Sequence, residues 1–244
     1  MKRTYTDLHL CPNTRDINQT TAMIDKAAKL GYRQIAITFP PNCDQEGFQQ
    51  ARNACREVNL DLATRIDLNP NSPNELLRSL RRLRRRFELV SVTCDSKNVS
   101  RQAAKDRRVD LLNFPSTDYH RRFFDLAEAE LASNSLAALE IDTQSLLALE
   151  GPARIRLLSS IRRETAIAKD FHVPIVISSG ASNELFMRKP IEQAALTSLF
   201  DLDRESALKG VSKNPLAIVK RNREKLNPDF VAPGIRVIRR GKDC

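Results

Sequence analysis

One local pattern recurs along most of the chain: a short apolar segment is followed, after a few residues, by an amphipathic segment with helical spacing. The clearest copy begins at residue 173, where a strand over 173–178 leads through the small polar loop 178–181 toward a helix that follows Pro190. A strand that is apolar on both faces and precedes a helix is the repeating unit of a parallel sheet. Seven such units with short connections predict an α/β chain folded as a distorted, TIM-barrel-like β/α barrel, with about seven parallel strands ringed by helices.

The same pattern gives approximate bounds for each element. Strands are predicted at 5–10, 34–39, 60–68, 88–94, 109–114, 136–142 and 173–178. Helices are predicted at 17–30, 45–58, 73–86, 99–107, near 122–131, and at 152–169, 191–200, 203–209 and 215–226. The segment around Val211 is too short for an eighth strand, so we expect an incomplete or distorted barrel. Residues 1–226 are predicted to form one domain, and residues 227–244 a basic C-terminal tail.

Length and cysteine usage are typical of a reduced, cytoplasmic protein. A chain of 244 residues can bury a core without disulfides, and its five scattered cysteines contain no CxxC pair. No apolar run approaches the ~20 residues of a membrane span, and the first residues lack an apolar signal-peptide core. We therefore expect a cytoplasmic location and no membrane as a partner.

The charge of the chain indicates an anionic partner. Forty Lys and Arg against thirty acids give a net charge of +10 and an isoelectric point near 9.7, which is expected of nucleic-acid binders. An anionic membrane surface or an acidic protein would also match this charge. The chain has no Trp and only 5% aromatic residues, so base stacking is disfavoured and recognition of the phosphate backbone fits better.

The most basic helix is predicted at 73–86. Its apolar residues recur at helical spacing and form one core-facing stripe, Leu76, Leu80, Leu83 and Phe87. The opposite face carries Arg78, Arg81, Arg82 and Arg85, with Arg84 and Arg86 on the flanks. A solvated surface is the usual explanation of such a run, but these arginines have one compensating acid, Glu75, and would repel one another. We expect this face to contact phosphate or an acidic partner. A second basic stripe, which would extend the patch, consists of Lys97, Arg101, Lys105 and Arg108.

Several ionisable residues are predicted to point into the barrel. Alternation along the strands gives three pairs of side chains on inward faces: Asp7 with His9, Arg65 with Asp67, and Glu140 with Asp142. These residues form either a metal or acid–base site, or a set of internal ion pairs in which Arg65 meets Asp7 or Asp67; we favour the ion pairs. The chain has only three histidines and no HExxH, GxSxG, GxGxxG or Walker motif. No catalytic residue, metal site or tightly bound cofactor is therefore predicted.

Six segments carry a resemblance to a known family. They are 5–10 (YTDLHL), 27–32 with 35–37, 64–66, 109–115, 173–181 with 187–190 (MRKP), and 211–215 with Asn222. Their order and spacing resemble those of the thirty-kilodalton protein subunit of archaeal and eukaryotic ribonuclease P, also called ribonuclease P protein component 3. The similarity covers about residues 4–226.

The resemblance implies a TIM-barrel-like fold and a non-catalytic role in ribonuclease P. In this family the RNA subunit, which uses Mg²⁺, removes the 5′ leader from precursor tRNA, while the protein helps that RNA reach its active shape. The implied partners are the ribonuclease P RNA, precursor tRNA, a small RRM-like subunit (component 2) in a heterodimer or heterotetramer, and the other ribonuclease P proteins. The resemblance also implies that basic positions of the family fall at Arg65, His120 and Arg188.

Two other functions remain open from the sequence. The family is thought to be a remote relative of the PHP metallophosphoesterases, so the chain could be a metal-dependent phosphoesterase that acts alone. Their first motif, Asp-x-His-x-His, appears here with Cys11 in place of the second histidine, and their last motif, Asp-x-His, has no counterpart in loop 178–181. The third possibility is a scaffold that binds only proteins.

Overall fold

Seven parallel strands lie side by side in the order in which they occur in the sequence. The computed structural model describes residues 3–114, 122–232 and 235–237. The strands are β1 (Thr6–Leu10), β2 (Gln34–Thr38), β3 (Asp61–Leu68), β4 (Leu89–Thr93), β5 (Leu111–Asn113), β6 (Ala138–Asp142) and β7 (Ile175–Ser178). The predicted α/β barrel of seven parallel strands is therefore confirmed.

Ten helices surround or close the sheet in the described part of the chain. They are α1 (Ile17–Leu30), α2 (Gln45–Glu57), α3 (Pro73–Leu83), α4 (Lys97–Lys105), α5 (Leu126–Ser135), α6 (Thr143–Ala148), α7 (Gly151–Asp170), α8 (Pro190–Leu196), α9 (Arg204–Gly210) and α10 (Lys213–Leu226). Side-chain oxygens cap the first five at their N-termini, at Asp16, Asp44, Ser72, Ser96 and Asp125. None of the helices in the described ranges combines the length and apolar character that crossing a bilayer requires.

Some predicted helix bounds were wrong. The helix predicted near 122–131 begins only at Leu126, after the Asp125 cap, and runs to Ser135. The helix predicted at 191–200 is α8 followed by a 3₁₀ turn over Thr197–Phe200. Helix α6 was not predicted, since six residues are too few for a clear period. In the predicted tail, β8 (Phe230–Ala232) and β9 (Ile235–Arg236) form an antiparallel pair.

The gap between β7 and β1 is closed without an eighth strand. A single parallel bridge joins Leu10 to Ala181, and the Cys11 amide donates to the Ala181 carbonyl at 2.8 Å. At the other end of β1, the Thr6 amide donates to the Val211 carbonyl at 3.0 Å. The chain around Val211 thus occupies the eighth position with one backbone bond, which matches the expected distortion of the barrel.

The inside of the barrel changes character from one end to the other. At the amino ends of the strands, small and apolar side chains meet Ile218 and Val219 of α10, which closes this end; they are Leu8, Ala36, Ala63, Leu89, Leu111, Ala138 and Val176. Two residues further along the same strands, the inward positions become polar, as in the steps from Ala63 to Arg65 and from Ala138 to Glu140. The carboxyl end of the barrel is therefore a polar mouth.

Helix α3 allows a direct test of the predicted core stripe. Leu80 is 1% exposed and Arg78, on the opposite face, is exposed. Leu80→Ala should lower the free energy of unfolding by about 2–5 kcal/mol, because it removes buried methyl groups and leaves a cavity. Arg78→Ala should change it by less than about 0.5 kcal/mol. Urea denaturation of both variants measures the difference, and equal stabilities would contradict the assigned helix orientation.

Candidate nucleic-acid interface and barrel mouth

A buried ion pair between Arg65 and Glu140 spans the mouth of the barrel. The two Nη atoms of Arg65 donate to the two carboxylate oxygens of Glu140 at 2.6 and 2.7 Å, and Nε donates to Asp67 Oδ1 at 2.7 Å. Nη1 also donates to the Leu8 carbonyl at 2.7 Å. The side chain of Arg65 has no exposed surface. The expectation that Arg65 contacts RNA or a partner does not fit this position, because its donors are directed to groups inside the barrel. Of the two acids predicted to pair with it, Asp7 and Asp67, the structure shows Asp67.

His9 lies between two further carboxylates of the mouth. Its Nδ1 is 2.8 Å from Asp142 Oδ1 and its Nε2 is 3.0 Å from Asp67 Oδ2. Burial and the charge of Arg65 lower the pKa of His9, but Asp142 and Asp67 outweigh them and raise it well above its ordinary value. A protonated ring donates from both nitrogens, so His9 serves as a second cation that holds these carboxylates together.

Neutral side chains complete this cluster and were missed by the sequence reasoning. Asn113 Nδ2 donates to Asp142 Oδ2 at 2.7 Å and to Glu140 Oε2 at 3.1 Å. Ser178 Oγ donates to Glu140 Oε1 at 2.7 Å. The sequence did contain a pattern that could have identified them, since each of these polar residues ends an otherwise apolar strand. Gly180 lets loop 178–181 approach closely: its φ is +63°, and a Cβ there would lie 2.8 Å from Asp142 Cβ.

Asp7 is separate from the mouth cluster, contrary to the predicted alternation. The register of β1 against β2 shifts between Asp7 and Leu10, so Leu8 and His9 both contribute to the barrel interior. Asp7 Oδ1 accepts from the backbone amides of Ser179 (3.0 Å) and His9 (3.1 Å), whereas Oδ2 is buried without a hydrogen-bond partner among residues 3–114, 122–232 and 235–237. Burial raises the pKa of Asp7 from 3.8 to about 6, although its hydrogen bonds oppose the shift.

Two sets of side chains in the mouth have the spacing of metal ligands. Potential ligand atoms lie within 4.8 Å of one another in the set His9, Cys11, Asp67 and in the set His9, Glu140, Asp142. Both sets share His9, whose two nitrogens already face carboxylates, and Glu140 is held by both Nη atoms of Arg65. A metal ion would have to displace these cationic groups, so the arrangement fits internal ion pairing better than metal coordination.

The arginine face of α3 is exposed, as predicted. Its apolar stripe is buried, with Leu76, Leu80, Leu83 and Phe87 at most 2% exposed. The helix predicted at 73–86 ends at Leu83, so Arg85 lies in the turn that follows it. Arg78, Arg81, Arg82 and Arg85 are exposed and form no hydrogen bond or ion pair with any residue that the structure describes. The flanking arginines are anchored: Arg84 donates to the Phe87 carbonyl at 3.0 Å, and Arg86 to the Cys43 carbonyl at 2.8 Å.

The second basic stripe is partly neutralised. Lys97 lies 3.7 Å from Asp125, and Arg101 lies 3.8 Å from Asp125 and 3.5 Å from Glu128. Sequence reasoning missed these contacts because the acids belong to α5, beyond the next strand. Lys97 and Arg101 remain about half exposed, so a phosphate would compete with α5 for them.

Of the last two predicted site residues, Arg188 and His120, the structure describes Arg188. Arg188 is half-buried, and its Nη1 donates to the carbonyls of Leu185 (2.7 Å) and Met187 (2.9 Å). Its own carbonyl accepts from Tyr32 Oη at 3.0 Å, so the backbone at this position is fixed against α1 and β2. His120 lies outside the described residues.

Comparison with known proteins decides the family. Residues 4–227 match the family model described as RNase P subunit p30. The chain belongs to this family. The sequence-based resemblance is therefore confirmed, and membership makes the chain a protein component of ribonuclease P, the endoribonuclease that processes the 5′ ends of tRNA.

Individual relatives extend the similarity over most of the chain. Ribonuclease P protein component 3 of Methanosarcina barkeri is 29% identical over 236 residues, covering 96% of this chain and 95% of the relative. The Methanosarcina mazei protein of the same name is 31% identical over 173 residues, which is 71% of each chain. A chain in a cryo-EM structure of archaeal ribonuclease P with mature tRNA has the same fold, with a TM-score of 0.84 at 20% identity and coverage of 98% and 100%.

The raised pKa of Asp7 predicts a specific pH dependence of stability. The folded state binds the proton more tightly than the unfolded state, so the stabilisation is present below pH 3.8 and is lost as the pH rises through about 6. At 1.36 kcal/mol per unit, the loss amounts to about 3 kcal/mol. The unfolding free energy of the wild type exceeds that of Asp7→Asn by an amount that should fall by about 2 kcal/mol between pH 4 and 7 in urea titrations. A pH-independent difference would contradict the assigned pKa.

Proposed function

We propose that the chain is a non-catalytic subunit that binds the RNA backbone of ribonuclease P through α3 and thereby helps the catalytic RNA reach its active shape. The observation that carries this proposal is a set of four exposed arginines on α3 and in the turn after it, which have no hydrogen-bond or ion-pair partner among the described residues, in a member of the RNase P subunit p30 family. Arginine suits phosphate because its planar guanidinium offers paired donors. Three of these arginines, Arg78, Arg81 and Arg82, lie along about one turn of α3, and Arg85 follows in the next turn of the chain; this spacing matches a row of contacts rather than a single pocket.

Electrostatics favours a bound polyanion on this face. Like charges three and four residues apart on a helix destabilise it by a few tenths of a kcal/mol per pair. Bound phosphates would reverse the sign of this contribution and release counterions from the RNA. The remaining candidates, Lys97, Arg101 and Arg188, would contribute less, because each of them already has a partner within the chain.

The ion-paired mouth supports the non-catalytic part of the proposal. Catalysis by the isolated chain would require an open group in the mouth, and the carboxylates there already face Arg65, His9 or Asn113. In the proposal, Mg²⁺ belongs to the RNA of the holoenzyme, and this chain holds no cofactor tightly. The alternative, a PHP-like phosphoesterase that acts alone, lacks a comparable supporting observation.

The proposed assembly follows from the names of the relatives. Similar chains are named ribonuclease P protein component 3, and one chain of the same fold belongs to an archaeal ribonuclease P structure that contains mature tRNA. We propose that this chain likewise binds the ribonuclease P RNA, precursor tRNA and the other protein subunits in the cytoplasm. Its direct partner would be the small RRM-like component 2, in a heterodimer or heterotetramer.

Reconstitution of precursor-tRNA cleavage tests the proposed function. The ribonuclease P RNA and the other protein subunits should cleave the 5′ leader faster, or at lower Mg²⁺, when this chain is added. The chain alone should not cleave precursor tRNA or a generic phosphodiester in Mn²⁺ or Zn²⁺. Hydrolysis by the purified chain that is lost in His9→Ala would instead support the phosphoesterase.

Charge reversal on α3 tests the surface itself. In Arg81→Glu/Arg82→Glu/Arg85→Glu, the slope of log affinity for the ribonuclease P RNA against log salt should flatten by about 2 to 3, since each phosphate contact contributes about 0.7 to 0.9. The matched control is Lys29→Glu/Arg52→Glu/Arg56→Glu, which reverses three exposed charges on α1 and α2. Equal slopes in the two variants would assign the α3 face to a protein partner or to solvent.

A further inference from the structure

A second group of cations lies at the amino end of the barrel, around Asp110. Helices in a β/α barrel run antiparallel to the strands, so the C-terminal ends of α3 and α4 meet the start of β5 there. Helix α10, which closes this end, reaches the same place with its last two turns. These three helices bring together Arg84, Arg107, Arg221 and Lys225, which are scattered over more than 140 positions in the sequence.

Asp110 fixes two of these cations. It is fully buried, and its Oδ2 accepts from the Val90 amide at 2.9 Å. Arg84 Nη2 is 3.4 Å from the same oxygen, and Arg221 Nη2 is 3.2 Å from Oδ1. Backbone carbonyls hold the rest of each guanidinium: Arg84 donates to Phe87, and Arg221 donates to Leu136 at 2.9 Å. Both cations are thus immobilised before any ligand arrives.

The positive charge around Asp110 is not balanced by the residues that the structure describes. Arg107 and Lys225 are exposed and have no hydrogen-bond or ion-pair partner among the residues that the structure describes. Burial lowers the pKa of Lys225, and the charges of Arg221, Arg84 and Arg107 lower it further, against the opposing effect of Asp110. The neighbouring acid Asp106 is taken by Arg108 at 2.6 Å. Asp110 therefore contacts two cations, Arg84 and Arg221, and Arg107 and Lys225 add further positive charge nearby.

One donor of Arg221 is left without an acceptor. Its Nε is buried and has no hydrogen-bond acceptor in the described ranges of the chain. Stabilisation of helix C-termini explains why cations occur at the ends of α3, α4 and α10, since each such contact contributes about 0.3–1 kcal/mol. It does not explain why three helices direct their cations to one place, where they repel one another.

We propose that this basal cluster, formed by Arg84, Arg107, Arg221 and Lys225, is a second RNA phosphate-binding site on the amino end of the barrel. The proposal rests on the proposed function, since it takes the ribonuclease P RNA as the ligand. Arg84 and Arg221 form a fixed base, and Arg107 and Lys225 supply exposed cations beside it. Continuity with α3 favours RNA over an acidic protein, because Arg81 and Arg82 lie in the last turn of α3 and Arg84 is its C-cap. A backbone of regularly spaced phosphates can therefore contact both surfaces.

Removal of the two exposed cations tests this site without disturbing the fixed pair. In Arg107→Ala/Lys225→Ala, the salt slope of binding to the ribonuclease P RNA should flatten by about 1.4 to 1.8, while the melting temperature stays unchanged. The matched control is Lys29→Ala/Arg52→Ala, which removes two exposed charges elsewhere and should keep the wild-type slope. Both variants are compared as the full chain.

The outcomes distinguish this site from the proposed function. A wild-type slope in Arg107→Ala/Lys225→Ala would overturn the basal site and leave RNA binding through α3 intact. An unchanged slope with weakened binding to the other ribonuclease P proteins would also overturn it, and would assign the cluster to an acidic protein. If the wild-type chain neither binds the RNA nor stimulates cleavage, the proposed function itself fails.

Discussion

The pairing of Arg65 with Glu140 is the interaction on which the carboxyl end of the barrel depends. It joins β3 to β6 across the mouth through two parallel hydrogen bonds, and neither side chain is exposed. Loss of one partner from such a buried pair leaves an uncompensated charge and commonly costs about 3–5 kcal/mol. His9 and Asn113 extend the network to Asp67 and Asp142, so the position where barrels of this fold usually place chemistry is filled here by internal salt bridges.

The residues that hold the barrel together are therefore different from the exposed residues that are available for binding. The interior changes from alanine and leucine at the amino end to charged residues at the mouth. The apolar side chains pack against one another, and the charged ones form ion pairs inside the barrel. The surplus positive charge therefore lies on the outside, on α3 and around Asp110, where helix ends and exposed helix faces present arginines to the solvent. A barrel of this kind supports a function that requires a rigid, cationic surface rather than a reactive pocket.

The sequence predicted the features that depend on local pattern. Periodicity and alternation predicted the seven strands and the buried stripe through Leu76 and Leu80. They also predicted that Arg65 forms an ion pair inside the barrel. Features that depend on distant parts of the chain were not predictable: Asp125 caps α5 and also faces Lys97, and Arg221 reaches Asp110 across more than 100 residues. The bulge in β1 also broke the alternation that had grouped Asp7 with His9.

Arginine-selective chemical modification, read by mass spectrometry with and without the ribonuclease P RNA, tests whether the arginines on and after α3 bind the RNA. It reports on every arginine of the full chain at once and does not depend on how a variant folds. We expect the RNA to protect Arg78, Arg81, Arg82, Arg85 and Arg107 from modification. Arg52 and Arg56 on α2 should react equally with and without the RNA. Unchanged reactivity on α3, with protection confined to the rim of the barrel mouth around Arg188, would contradict this expectation.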